Sequence, residues 1–149
     1  EDGTGQRRAS SEWRFHLDIY RAYPEVEAIV HTHSLFATAL ACARRGIPDF
    51  HYMVAAAGGP DIRCAPYATF GTEELSKNAV AALEGRKACL LANHGQIATG
   101  ADLDAALGLA RQVEALAAQY LHCLQAGGTE LLGADEMARV LEKFKTYGQ

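Results

Sequence analysis

The chain has 149 residues, 49% of them hydrophobic and 21% charged, with a formal net charge of −4 at pH 7. That length suits one domain with a sizeable core. Its basic residues fall in scattered pairs such as Arg44-Arg45 and Arg86-Lys87, which argues against a nucleic-acid partner. No stretch is apolar and long enough for a membrane span, and the first eight residues hold no apolar signal region. Cys42, Cys64, Cys89 and Cys123 are widely spaced without a C-x-x-C, so they read as buried small hydrophobes in a reducing, cytoplasmic compartment.

The first nine residues are polar and read as a loop. Ser10 and Ser11 are good N-caps for a helix over about 12–21, on which Trp13, Leu17 and Tyr20 fall at helical spacing. Pro24 stops it, and an apolar, β-branched run over 26–31 predicts a strand. A helix over 35–45 should close at Gly46. His51-Tyr52-Met53-Val54 suggests a strand, Gly58-Gly59-Pro60-Asp61 a turn, and 62–65 a short strand. Thr72, followed by Glu73 and Glu74, predicts a capped helix to about Leu83 that ends at Gly85. The continuous apolar run 88–92 reads as a central strand, with 97–99 as its hairpin partner. Asp102 caps the longest helix, Gly127-Gly128 breaks it, and a last helix covers about 135–144. The order predicts a layered α/β or α+β domain, with no repeat and no second domain.

Residues two apart in a strand share a face, so His31 and His33 present their rings together. His94 also follows an apolar strand, just before Gly95. Three histidines from two strands suit a catalytic metal centre with an open position, and no cysteine sits beside them to close it. Equally, histidines can lie on a solvated strand face or be hydrogen-bonded at a turn. Glu12 opens the first helix and could be a fourth ligand, a general base, or a carboxylate that only complements the helix dipole. Ser10 and Ser11 could hold a phosphate at that helix start or simply cap it. Tyr52 and Tyr147 are candidate proton donors, with strand-core and chain-end readings as the alternatives. His16 reads as a packing or supporting residue, and His51 and His122 as structural.

Six segments in order are recognisable: 10–16, 29–33, 51–59, 64–72, Asn93-His94-Gly95 and Phe144-Lys145-Thr146-Tyr147-Gly148. Together they resemble the class II aldolase/adducin family, and within it the fuculose-phosphate branch. The resemblance implies a three-layer α/β/α fold, with a central, largely antiparallel sheet, assembled as a C4 homotetramer. It implies a single domain over residues 1–149 that lacks the family's N-terminal stretch. It maps one zinc ion per chain onto His31, His33, His94 and Glu12, the last doubling as acid/base. It places substrate phosphate at Ser10 and Ser11. Tyr52 then comes from a neighbouring subunit and Tyr147 from a mobile tail. The implied reaction is reversible aldol cleavage of a ketose 1-phosphate to dihydroxyacetone phosphate and an aldehyde, L-lactaldehyde in the name reaction. Sister enzymes, a pentulose-phosphate 4-epimerase or a methylthioribulose-phosphate dehydratase, and a non-catalytic adducin-like interaction module are the alternatives.

Overall fold

The computed structural model describes residues 10–146. Four strands form one mixed sheet in the order β1-β4-β3-β2: β1 Ala28–Thr32, β4 Gly95–Gly100, β3 Ala88–Leu91 and β2 Cys64–Ala65. β4 pairs antiparallel with both β1 and β3, while β2 runs parallel to β3, so the sheet is largely antiparallel as expected. The helices are α1 Trp13–Ala22, α2 Leu35–Cys42, α3 Glu73–Leu83, α4 Leu103–Gln125 and α5 Ala134–Phe144.

Strand alternation builds two cores from one sheet. Ala88, Leu90 and Ala98 pack with Leu40 of α2 and Val113 and Leu116 of α4. The residues between them, Cys89, Leu91 and Ile97, pack with Phe15 and Ile19 of α1 and Leu75 and Leu83 of α3. The result is three layers: α1 and α3, the sheet, then α2 and α4. β3 is buried along its whole length, as its unbroken apolar run requires.

Several boundaries differ from the sequence reading. Residues 52–57 form a 3-10 helix, not a strand. His51 Nδ1 accepts the Met53 N–H at its start, and Gly58, at φ 86°, ends it. Helix α2 ends before Gly46. Arg44 takes the left-handed conformation at φ 52°, and the Arg44 and Arg45 N–H groups close back onto the carbonyls of Ala41 and Leu40. Gly46 is required for another reason: a Cβ there would lie 2.5 Å from the Ile62 carbonyl oxygen, across the Ile47–Ile62 bridge. Of the four cysteines, only Cys89 is buried; Cys42 is exposed, and Cys64 and Cys123 are half-buried. Burial pushes the Cys89 thiol up to about 12. Among the described residues no helix is long and apolar enough to cross a membrane.

Candidate active site

The site forms where β1 ends, β3 turns into β4, and α1 begins. His31 is in register with Ile97 and shares a strand parity with Ile29, so it faces the α1 layer. There its ring meets Phe15 edge-on, at 5.3 Å between centroids. His31 Nδ1 lies 2.9 Å from the Gln96 carbonyl oxygen. A carbonyl only accepts, so Nδ1 carries the proton and the Nε2 lone pair points outward. His33 follows directly after β1. His94 sits on the β3–β4 turn, which Asn93 makes possible by adopting φ 56°. The Asn93 N–H donates to the Ala41 carbonyl, and its Oδ1 accepts from Arg44 Nε at 3.0 Å.

Glu12 is the residue from which α1 springs, and it is not capped by a side chain. The predicted caps are displaced: Ser10 Oγ accepts the N–H of Glu12 itself, at 3.2 Å, and its carbonyl accepts from Trp13. Glu12 Oε2 lies 3.2 Å from His31 Nε2, and Oε1 lies 3.1 Å from His94 Nε2. His31 Nε2 and His33 Nε2 are 3.1 Å apart. One ligand atom from each of the four residues falls within 4.8 Å of all the others. Three of the side chains are deeply set, with 13% of Glu12, 13% of His31 and 12% of His94 exposed. Glu12 Oε1 is nonetheless a buried acceptor without a well-formed hydrogen bond. Nitrogen and oxygen ligand atoms gathered this closely, with an orphaned carboxylate oxygen among them, fit a divalent cation.

The protonation of the cluster points the same way. Burial holds His31 below its ordinary value of 6.5, outweighing the Gln96 carbonyl and the Glu12 carboxylate, which act to raise it. Burial likewise lowers His94 against the pull of Glu12. Both rings are therefore neutral near pH 7, the form a metal requires. In the unfolded chain they regain ordinary values, so below 6.5 the unfolded state binds more protons than the folded one. Stability from these groups is present above that value and is lost as pH falls toward the lowered native pKa values. The melting temperature of metal-free protein is expected to drop between about pH 7 and about pH 5. Alanine at His31 is expected to flatten that dependence in calorimetric scans.

A cavity of about 340 Å³ opens beside the cluster, lined by Ser11, Glu12, His33, Tyr67, Phe70 and His94. A second cavity, about 390 Å³, lies at the other end of the sheet against Tyr23, Arg86, Lys87 and Thr99, away from the cluster. Among the expected site residues, Glu12, His31, His33, His94 and Ser11 converge, and Ser10 adjoins them. Tyr52 does not: it is 46% exposed on the 3-10 helix, stacked on His51, and lines neither cavity. Tyr147 lies outside the described residues. His16 stacks on Phe15, and its pKa is lowered by burial, in keeping with a packing role. Tyr67 and Phe70 were not singled out from sequence, although both fall in the recognised 64–72 segment.

The profile of the class II aldolase and adducin N-terminal domain matches residues 1–121. The chain belongs to this family. A Rhodospirillum rubrum member named 5-methylthioribulose-1-phosphate/5-deoxyribulose-1-phosphate aldolase is 66% identical over 144 residues, covering 97% of this chain and 65% of that protein. The L-fuculose phosphate aldolase of Escherichia coli K12 is 51% identical over 152 residues, covering 99% of this chain and 71% of that protein. A solved L-fuculose 1-phosphate aldolase superposes with a TM-score of 0.91 at 45% identity, over 95% of this chain and 66% of that one. The chain thus spans about two thirds of the length of the family members it matches.

Proposed function

We propose that this class II aldolase family member catalyses zinc-dependent, reversible aldol cleavage of a 5-deoxypentulose 1-phosphate, 5-deoxyribulose 1-phosphate or its methylthio analogue. The products are dihydroxyacetone phosphate and a short aldehyde. The observation that carries the reading is the convergence of Glu12 with His31, His33 and His94 at a cavity wall. A bound zinc ion would supply Lewis acidity to the ketone and hydroxyl oxygens of the three-carbon fragment. His31, His33 and His94 would hold it, the first kept in the right tautomer by the Gln96 carbonyl. Glu12 would exchange a proton with the carbon of that fragment at which the bond breaks. Ser10 and Ser11 lie at the start of α1, whose dipole favours a phosphate.

In this reading the aldehyde end of the substrate would face Tyr67 and Phe70, 52% and 68% exposed beside the cavity. An aromatic wall suits a methyl or methylthio tail better than a hydroxylated one. That, and the higher identity to the Rhodospirillum rubrum protein, favours the deoxypentulose substrates. L-fuculose 1-phosphate, which gives L-lactaldehyde, is the second reading, supported by the Escherichia coli relative. Tyr52, which lines neither cavity, would act as proton donor in the pocket of a second copy, in the homotetramer with sites between subunits that the family resemblance implies. Tyr147 would be a further proton donor. A cytoplasmic location accords with four free cysteines.

Rates of dihydroxyacetone phosphate release from 5-deoxyribulose, 5-methylthioribulose and L-fuculose 1-phosphates test the reading. kcat/KM is expected to be about tenfold or more higher for the first two, the scale of one buried methylene or hydroxyl. Faster turnover of the fuculose substrate would reverse the order. No release from any of them by zinc-loaded protein would discard the aldolase in favour of the epimerase, dehydratase or interaction-module alternatives.

A further inference from the structure

Helix α2 joins the parts of the site. Only His33 and Ser34 separate the end of β1 from its first turn. At its other end, the Ala41 carbonyl receives the Asn93 N–H, and the Cys42 carbonyl receives Asn93 Nδ2, so α2 also holds the turn that presents His94. Yet α2 has no acidic residue in its first turn, and its N-cap, Ser34, makes no capping bond. The Ser34 hydroxyl is engaged elsewhere, accepting from Gln96 Nε2 at 2.7 Å.

The missing cap comes from another layer. Glu114, half-buried on α4, accepts the Phe36 N–H on Oε1 at 2.9 Å and the Ala37 N–H on Oε2 at 2.8 Å. A carboxylate that accepts two N–H groups at a helix start makes charge-assisted bonds and meets the positive end of the helix dipole. Gln96 reinforces the grip, since Nε2 also donates to the Ala110 carbonyl of α4 at 3.1 Å. The segment that follows His33 is thus clamped to the longest of the described helices.

We propose that Glu114 is a positioning residue for the metal centre: by capping α2 from α4, it fixes His33, and through Asn93 also His94, relative to His31 and Glu12. This rests on the reading of those four residues as metal ligands. Glu114 does not touch metal or substrate. Its loss lets the start of α2 fray and His33 drift from the other nitrogens, which lowers metal affinity and distorts coordination.

The test uses the full chain and two metals, zinc for affinity by chelator competition and cobalt(II) for its visible spectrum. E114A is expected to weaken zinc binding about 10–100-fold and to change the cobalt bands. E114D keeps the charge but is one methylene too short for both N–H groups, so it should shift in the same direction. E114Q retains one acceptor oxygen and should recover part of the loss. D102A removes the cap on α4 at the far end of the sheet. It should lower the melting temperature while leaving zinc affinity and the cobalt spectrum unchanged. Wild-type affinity and spectrum in E114A, or in E114D if E114A does not fold, would overturn the proposal and leave the metal site standing. Failure of the unmutated protein to bind either metal would overturn both.

Discussion

H94A is expected to lose aldolase activity by on the order of 10³-fold or more and to fall well below one metal per chain at limiting zinc. Electrostatic stabilisation by a metal is worth several kcal/mol, and each 1.36 kcal/mol is about tenfold in rate. His94 is the sharpest probe because it is the proposed ligand on the β3–β4 turn, whereas His31 and His33 come from one segment. Removing it leaves Glu12 Oε1 facing no nitrogen and takes away one of three imidazoles. The fold should survive, since His94 is partly exposed and its turn is held by Asn93 and the Ala41 carbonyl. Elemental analysis and turnover, measured alongside melting temperature, check the prediction. A variant that binds metal and turns over like the unmutated chain would remove His94 from the site.

The histidine site was legible because parity along a strand is a rigid consequence of backbone geometry. His31 follows Ile29 onto the α1 face, and an apolar strand ahead of Asn93-His94-Gly95 brings the third ring alongside. The capped starts of α3 and α4 were equally legible, since Thr72 and Asp102 bond to N–H groups three residues away. Where local signals compete with distant ones, the reading failed. Tyr52-Met53-Val54 has β propensity, but among the described residues no strand pairs with it. The Ala57 carbonyl instead accepts from Lys87, while His51 starts a 3-10 turn. Gly46 carries the chemistry of a helix stop but serves a close approach to Ile62, leaving Arg44 to bear the positive φ. Glu114 could not be found from sequence at all: its partners Phe36 and Ala37 lie 78 and 77 residues away, and nothing in α4 distinguishes it from a solvated glutamate. Residues that hold a site through another layer carry no local pattern.

E12Q separates the two roles of the carboxylate. Glutamine keeps the size and one oxygen ligand but cannot take up a proton. The three histidines remain, so the variant is expected to retain about one zinc per chain with weakened affinity. If Glu12 is the acid/base, kcat should fall about 10²–10⁴-fold, with a much smaller change in KM. A half-reaction isolates that step from bond cleavage. In deuterated water and without aldehyde, the unmutated protein should exchange a carbon-bound hydrogen of dihydroxyacetone phosphate, followed by proton NMR. E12Q should exchange it hardly at all, even when fully loaded with metal. The geometry is compatible with both proposed roles for one carboxylate. Glu12 stands at the first turn of a helix rather than within the sheet, its two oxygens 3.2 and 3.1 Å from different histidines. A carboxylate that meets the Nε2 lone pair of His31 on Oε2 and has no firm hydrogen bond on Oε1 would swing aside at little cost when substrate oxygens take its place. Exchange at the unmutated rate in metal-loaded E12Q would leave Glu12 a ligand alone and move the proton transfer to another group.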